Sequence, residues 1–483
     1  MFDRIFGIET EYGITCASQI EGSPPPLDAE HAARELFEPV VQEHKTSNVF
    51  LPNGGRLYLD VGSHPEYATA ECRTLHDIIA QDNAGDLLYQ QLLTQVNLRL
   101  KERDVPGRIH LLKNNVDSMG NSYGCHENYL LYRRKDFRQV ADALVSFFIT
   151  RQILVGAGYI DRYNHDDTSQ GGRYCFSQRA DKMWDCVSAA STRSRPIINT
   201  RDEPLADGDR YRRMHVIVGD SNISQATTIL KIGMTLALLH VIDNGLDISD
   251  ITLARPMQAI REMSIDTRVA MRHELTSGRT MTAVDIQQTI LDRVSSHPST
   301  AELDDPHMSY VFDLWQRGIT ALKTGDWSTI DTELDWAIKY RLLHDVAQKK
   351  ELSMSSAQIA RLDFAYHDLV DGLRDSLEQT GRMKRIVSHG DVTQATQDAP
   401  TNTRAYLRGK VLCAAKRYRE DVTSDWYHLR IDNSQHPTIT LTDPFACHDE
   451  RIDELVSLIM QLHEQRHSYQ VAQTQQGSGE VVI

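Results

Sequence analysis

Residues 53–61 read NGGRLYLDV, and this stretch sets the architecture. Asn53-Gly54-Gly55 is a turn signal, since glycine reaches backbone conformations that tight reversals need. From Arg56 onward, Leu57, Leu59 and Val61 alternate with Arg56, Tyr58 and Asp60. A period of two puts the aliphatic set on one face of a β-strand and the polar set on the other. The strand therefore packs a core on one side and presents Arg56, Tyr58 and Asp60 on the opposite side.

Upstream, Arg4 to Ile14 has strand composition and contains GIETEYG (7–13), so Glu9 and Glu11 share a face. Two carboxylates side by side repel unless a cation or basic group separates them. They are either a solvated strand face or half of a cation site. Downstream come His64, Glu66, Thr69 and Glu71. Arg56 could meet nucleotide phosphate or base, and Asp60 could be a general base; the alternative is an Arg56–Asp60 ion pair beside a solvated loop. Taken together, several carboxylates and an arginine on neighbouring strands read as a Mg²⁺–nucleotide site, because hard cations take oxygen ligands.

Two further clusters add polar groups. Within NSYGCHENY (121–129), Cys125 and His126 are adjacent, so on a strand they point apart and make a poor nucleophile–base pair. His126 is a ligand, a phosphate contact or a satisfied core histidine. Arg193, Arg195, Arg201, Arg210, Arg212 and Arg213 crowd a short segment, and guanidinium groups clamp phosphate and carboxylate. Some of them form surface salt bridges, and one or two pointing into the acidic cleft would supply counter-charge. No G-x-x-x-x-G-K-[ST] occurs, so any ATP site is built on a sheet surface rather than a P-loop.

Elsewhere the pattern predicts a helix after Asp28 with Pro39 inside it, and a helix over 82–100. Strands are expected over 110–115 and 127–132, joined by a turn at 120–124, and again near 195–200 and 214–219. Helices follow over 227–244 and 332–345. Thr393 to Thr403 reads as a linker, with a helix at 404–418 and another at 449–466 beyond it. Strands followed by clustered helices give an α+β fold with a mostly antiparallel sheet. The expected units are a large domain over 1–402, a small C-terminal domain over 403–470 and a disordered tail over 471–483.

The 483 residues carry 52 Lys plus Arg against 67 Asp plus Glu, a net charge of −15 that argues against a nucleic-acid-tracking surface. Seven scattered cysteines without C-x-x-C fit a reducing cytoplasm, and the charged N-terminus reads as no signal peptide. The greasiest stretch, 232–242, is expected to be too short for a membrane span.

The strings GIETEYG (7–13), NGGRLYLDVGSHPEYATAEC (53–72), KNNVDSMGNSYGCHENY (113–129), TRSRPIINTRDEP (192–204) and YRRMHVIVGDSN (211–222) resemble the ligases of Pup, the prokaryotic ubiquitin-like protein. The resemblance runs to about residue 460. That family belongs to the carboxylate–amine ligase superfamily, with glutamine synthetase. It implies a glutamine synthetase-like curved antiparallel sheet cradling ATP, packed with helices, plus a small C-terminal domain. The implied reaction phosphorylates the side-chain carboxylate of Pup's C-terminal glutamate with ATP. A lysine ε-amine of a target protein then displaces phosphate. Position by position, the resemblance makes Glu9, Tyr58 and Glu66 the Mg²⁺ ligands and Arg56, Thr69 and Trp426 the ATP contacts. Asp60 becomes the base that receives the lysine proton. Glu11, Glu71, His126 and His215 are additional candidates from their company. The rival is the paralogous deamidase/depupylase on the same scaffold, or, further off, a small-molecule γ-glutamyl ligase. The short separation of Gly13 and Arg56, and an aspartate in D-V-G-S-H-P-E context, favour the ligase. Pup of this family is acidic, so the 201–213 arginines, including Arg212 and Arg213, are expected to offset its charge.

Overall fold

The structure is a computed structural model and describes residues 3–60, 62–161, 172–189, 195–432 and 434–477, with side chains in the last helix given through Arg466. Alternation in the N-terminal segment becomes the strand Phe6–Glu11, with Phe6, Ile8 and Thr10 buried and Gly7, Glu9 and Glu11 half-buried. It occupies the middle of an eight-stranded sheet. In spatial order the strands are Asp185–Ser188, Pro196–Asn199, Tyr211–Val216, Cys125–Tyr132, Phe6–Glu11, Pro65–Ala68, Arg56–Leu59 and Asn48–Phe50. Every neighbouring pair is antiparallel except the first, 185–188 against 196–199. This is the expected α+β class.

One face of the sheet is covered by helices. Phe6, Ile8, Leu131, Ile198, Met214 and Val216 join one core with residues of Phe137–Thr150 and Gln225–Asp243. Helix 225–243 is long and apolar enough by composition to cross a membrane, yet 94% of that stretch is buried inside the protein. The shorter span read from the sequence understated it; the helix is apolar on all sides because protein surrounds it. Leu75–Glu102 backs the other half of the sheet and begins about two turns before the expected residue 82, after the N-cap Thr74. Ala29–His44 is capped by Asp28, as expected, and keeps Pro39 inside.

Residues 110–115 and 127–132 do not form a hairpin. Gly107–Leu112 pairs with Gly13–Ser18 in a separate two-stranded sheet, whereas Cys125–Tyr132 lies in the main one. The break falls at Tyr12, whose buried hydroxyl donates to Asp86 Oδ1 at 2.8 Å. At Gly13 a Cβ would stand 2.2 Å from the Tyr123 hydroxyl, so a larger residue there would displace the Tyr123 side chain.

The C-terminal region has its own core. Helix Arg404–Tyr418, the strands Val422–Ser424, His428–Ile431 and Ile439–Thr440, and helix Glu450–Gly477 pack Leu407, Val411, Leu429, Ile452 and Leu455 together. The last helix covers residues 471–477, which had read as tail; 478–483 lie outside the described residues. The stretch 393–403, read as a linker, runs between the helices His389–Ala395 and Arg404–Tyr418. It finishes helix His389–Ala395 and ends at buried Thr403, whose hydroxyl donates to the Glu71 carbonyl at 3.0 Å.

Candidate active site

The open face of the sheet carries the polar alternation. Directly opposed residues of an antiparallel pair share a face. The register opposes Glu9 to His126 on one side and to Ala68 on the other, and sets Glu66 between Glu11 and Tyr58. His215 opposes Asn128, two residues from His126. Residues remote in sequence thus gather without any loop having to carry them.

Two groups result. Glu9, His126 and His215 bring one ligand atom each within 4.8 Å of one another, and so do Glu11, Asp60 and Glu66. Tyr58 sits between them and donates its hydroxyl to Glu9 Oε1. The other Glu9 oxygen lies 3.3 Å from His126 Nδ1, and the rings of His126 and His215 meet edge-on at 4.9 Å. Burial would raise the Glu9 carboxyl, but the hydrogen bond and charge of His126, the charge of His215 and the Tyr58 bond hold it well below the usual range. Glu66 shows the opposite balance. Burial and then the charges of Glu9, Glu11 and Asp60, against the Tyr58 bond, push it up to about 10. Burial, then His126 and Arg213, lowers His215 to about 3 despite Glu9. His215 Nε2 has no hydrogen-bond partner among the described residues.

Beside these groups lies a cavity of about 340 Å³ lined by Glu9, Arg56, Thr69, Asn128, Arg213 and Trp426, among others. Arg56 donates from Nε to Asn48 Oδ1 at 2.7 Å and lays its guanidinium 3.9 Å from the Tyr58 ring centre. No carboxylate reaches it as an ion pair among the described residues, so the Arg56–Asp60 alternative is not realised. Thr69 Oγ1 accepts from the Ile8 N–H at 3.1 Å and keeps its own proton for a second partner. Trp426 meets Phe50 edge-on at 5.0 Å. The strand ends at Leu59, one residue before Asp60, which sits exposed at the start of a turn closed by its N–H on the His64 carbonyl at 3.0 Å. Val61 lies outside the described residues.

Some expectations change. Glu71 does not reach the carboxylate group. Its oxygens accept from Arg404 Nε at 2.9 Å and from Arg408 at 2.5 and 3.2 Å, and although burial opposes it, these arginines bring its pKa down to about 2. Arg212 and Arg213 point to opposite faces, as neighbours on a strand must. Arg212 pairs with Asp202 at 3.0 Å over the Phe137 ring, and only Arg213 faces the cavity. Arg201 pairs with Glu203 at 2.7 Å, and Arg210 lies over Tyr211. Arg195 donates to the Ser122 carbonyl at 3.3 Å; Arg193 lies outside the described residues. Cys125 faces the core, 3.8 Å from Lys231 Nζ, and burial raises its pKa, so it is no nucleophile.

Sequence reasoning missed Arg179, Arg404 and Arg408. Arg179 is buried and bonds the Tyr123 carbonyl near Glu11, but it stands alone in the sequence with no cue. Arg404 and Arg408 did leave a signal. Like charges at i, i+4 near a helix N-terminus are unfavourable unless an external acid holds them.

Known proteins match this arrangement along most of the chain. The Pup-ligase protein family model matches residues 4–430. A Pup–protein ligase of Jonesia denitrificans is 49% identical over 458 residues, covering 94% of this chain and 98% of the relative. One from Sanguibacter keddieii is 49% identical over 459 residues, covering 94% and 98%. The crystal structure of Pup in complex with its ligase PafA superposes with a TM-score of 0.89 at 39% identity, covering 99% of this chain and 95% of that one. The ADP complex of the Pup ligase PafA gives 0.81 at 40% identity, covering 92% and 96%. A mostly antiparallel sheet with a carboxylate face, backed by helices and matched along its length by two Pup-ligase structures, places the protein among the ATP-dependent ligases. Within that class, the chain belongs to the Pup-ligase family.

Proposed function

We propose that this enzyme uses ATP to join the side-chain carboxylate of Pup's C-terminal glutamate to lysine ε-amines of target proteins. One observation carries the reading: the sheet register gathers Glu9, Glu11, Glu66 and Tyr58, with Asp60 from the adjoining turn, beside a cavity walled by Arg56, Thr69, Arg213 and Trp426. The relatives' names and their complexes with Pup and with ADP supply the partner and the nucleotide.

A glutamate side-chain oxygen attacks the ATP γ-phosphorus, the bond to the β–γ bridging oxygen breaks, and ADP leaves. The lysine nitrogen then attacks the carbonyl carbon of the γ-glutamyl phosphate, and phosphate departs with the C–O electron pair. Asp60 receives the ammonium proton, and its exposed position suits a side chain offered by a folded protein. Arg56, Thr69 and Trp426 bind the nucleotide, with Arg213 adding positive charge. Glu9, Tyr58 and Glu66 would hold Mg²⁺. They form an all-oxygen donor set, and no lysine or arginine pairs with Glu66 among the described residues. Mg²⁺, when bound, would offset the charge of the phosphates as two anions approach.

Residues 403–470 act as a small domain that brings Trp426 to the catalytic domain, 1–402. Seven unbridged cysteines support a cytoplasmic setting. The test supplies Pup ending in glutamate, ATP and a lysine-bearing protein. Conjugate and ADP should form together, and Asp60→Asn should slow conjugation about 100-fold. Conjugation at the wild-type rate would refute the base assignment, and cleavage of a purified conjugate would identify the deconjugating activity instead.

A further inference from the structure

Glu71, Arg404 and Arg408 form a buried group to which the reaction above gives no role, although Glu71 and Arg404 stand in the lining of the cavity. Glu71 follows the strand carrying Glu66 and lies two residues beyond Thr69; the two arginines start the first helix of the C-terminal region. All three are more than nine-tenths buried. Arg408 does more than neutralise Glu71. Its Nη1 donates to the Trp426 carbonyl at 2.8 Å, its Nη2 donates to the Gly54 carbonyl at 2.7 Å, and its guanidinium lies 5.3 Å from the Trp426 ring centre. Arg404 adds Nη1 to the Leu441 carbonyl at 2.9 Å. One guanidinium thus ties the wall of the cavity, the Gly54 turn before Arg56 and the loop that presents Trp426.

We propose that Glu71 and Arg408 are positioning residues that set nucleotide affinity by fixing Trp426 against Phe50 at the cavity mouth. The inference rests on the nucleotide-site reading above. A carboxylate removed from between two buried arginines leaves their charges uncompensated, so the C-terminal region should lose its fixed seat rather than merely one contact. Neither residue touches the reacting carboxylates, so chemistry at saturating ATP should change little.

The experiment measures Kd for a fluorescent ATP analogue, and KM for ATP and kcat in ADP formation with Pup. It compares wild type with Glu71→Gln, Arg408→Lys, Trp426→Ala and the Glu71→Gln/Trp426→Ala double variant. Glu71→Gln should raise Kd and KM about tenfold with kcat within about threefold. In the Trp426→Ala background the same change should add less than about twofold, because both act through one side chain. Arg408→Lys keeps the charge but loses the forked contact, and should reproduce the Kd increase even if Glu71→Gln fails to fold. Unaltered Kd in Glu71→Gln or Arg408→Lys, or full additivity in the double variant, overturns the clamp. If Trp426→Ala itself binds ATP like wild type, the nucleotide-site reading fails and the clamp falls with it. If Trp426→Ala weakens binding and the clamp variants do not, only the clamp fails.

Discussion

Glu127 and Arg151 show what a single residue contributes on the far side of the sheet. Both are fully buried, and Arg151 Nη1 donates to Glu127 Oε2 at 2.9 Å and to Thr235 Oγ1 at 2.6 Å. Glu127 neighbours His126 in sequence but faces the helices, so the carboxylate in HEN (126–128) is structural. Arg151→Met should destabilise the protein by about 3–5 kcal/mol, read as a shifted urea midpoint, because it strands a buried carboxylate. The sequence singles out Glu9, which shares a face with Glu11, but offers no such company for Glu127. Parity assigns their faces once the register is known, and strand parity did place Glu9, Glu11, Arg56 and Tyr58 together. What it could not give was the partner of Glu71, which lies more than 330 residues away.

Among the elements, helix 75–102 sets the strand that bears Glu66. Tyr89 donates to the Glu66 carbonyl at 2.7 Å, and Tyr67 packs where Gly85 leaves room. A Cβ on Gly85 would stand 2.3 Å from the Tyr67 ring. Gly85→Ala should therefore cost about 1–3 kcal/mol in thermal or urea unfolding, despite the better helix propensity of alanine. It should also lower ADP formation, since Tyr67 and Glu66 share a strand. The existence of this helix was legible from its apolar spacing. Its start was not: Asp82, where the helix was expected to begin, lies inside it and is buried, with Asp82 and Asp86 paired to Lys113 at 2.8 and 3.1 Å. Likewise the 120–124 turn read as a hairpin, since nothing local records that the chain passes to a second sheet at Gly13.

At the scale of the whole molecule, acid should loosen the seat of the C-terminal region. The Glu71 carboxyl is held near 2, below the ordinary 4.5, so its pairing stabilises fully above about pH 4.5 and that stability is lost as pH falls toward 2. The difference in Tm between wild type and Glu71→Gln should be largest above pH 5 and narrow as the solution is taken down to pH 3. A gap independent of pH would show that the clamp does not depend on ionised Glu71. The net charge of −15 turned the reading from nucleic acid, but only the structure separates solvated acids from those gathered on the open sheet face. The central position of strand 6–11 also has a consequence for synthesis. Strand 6–11 is made well before 125–132, which flanks it, although helix 75–102 reaches its apolar side early. The last-made strand of the sheet, Tyr211–Val216, emerges much later still, so the nascent protein should rely on chaperones that hold unfinished sheets apart.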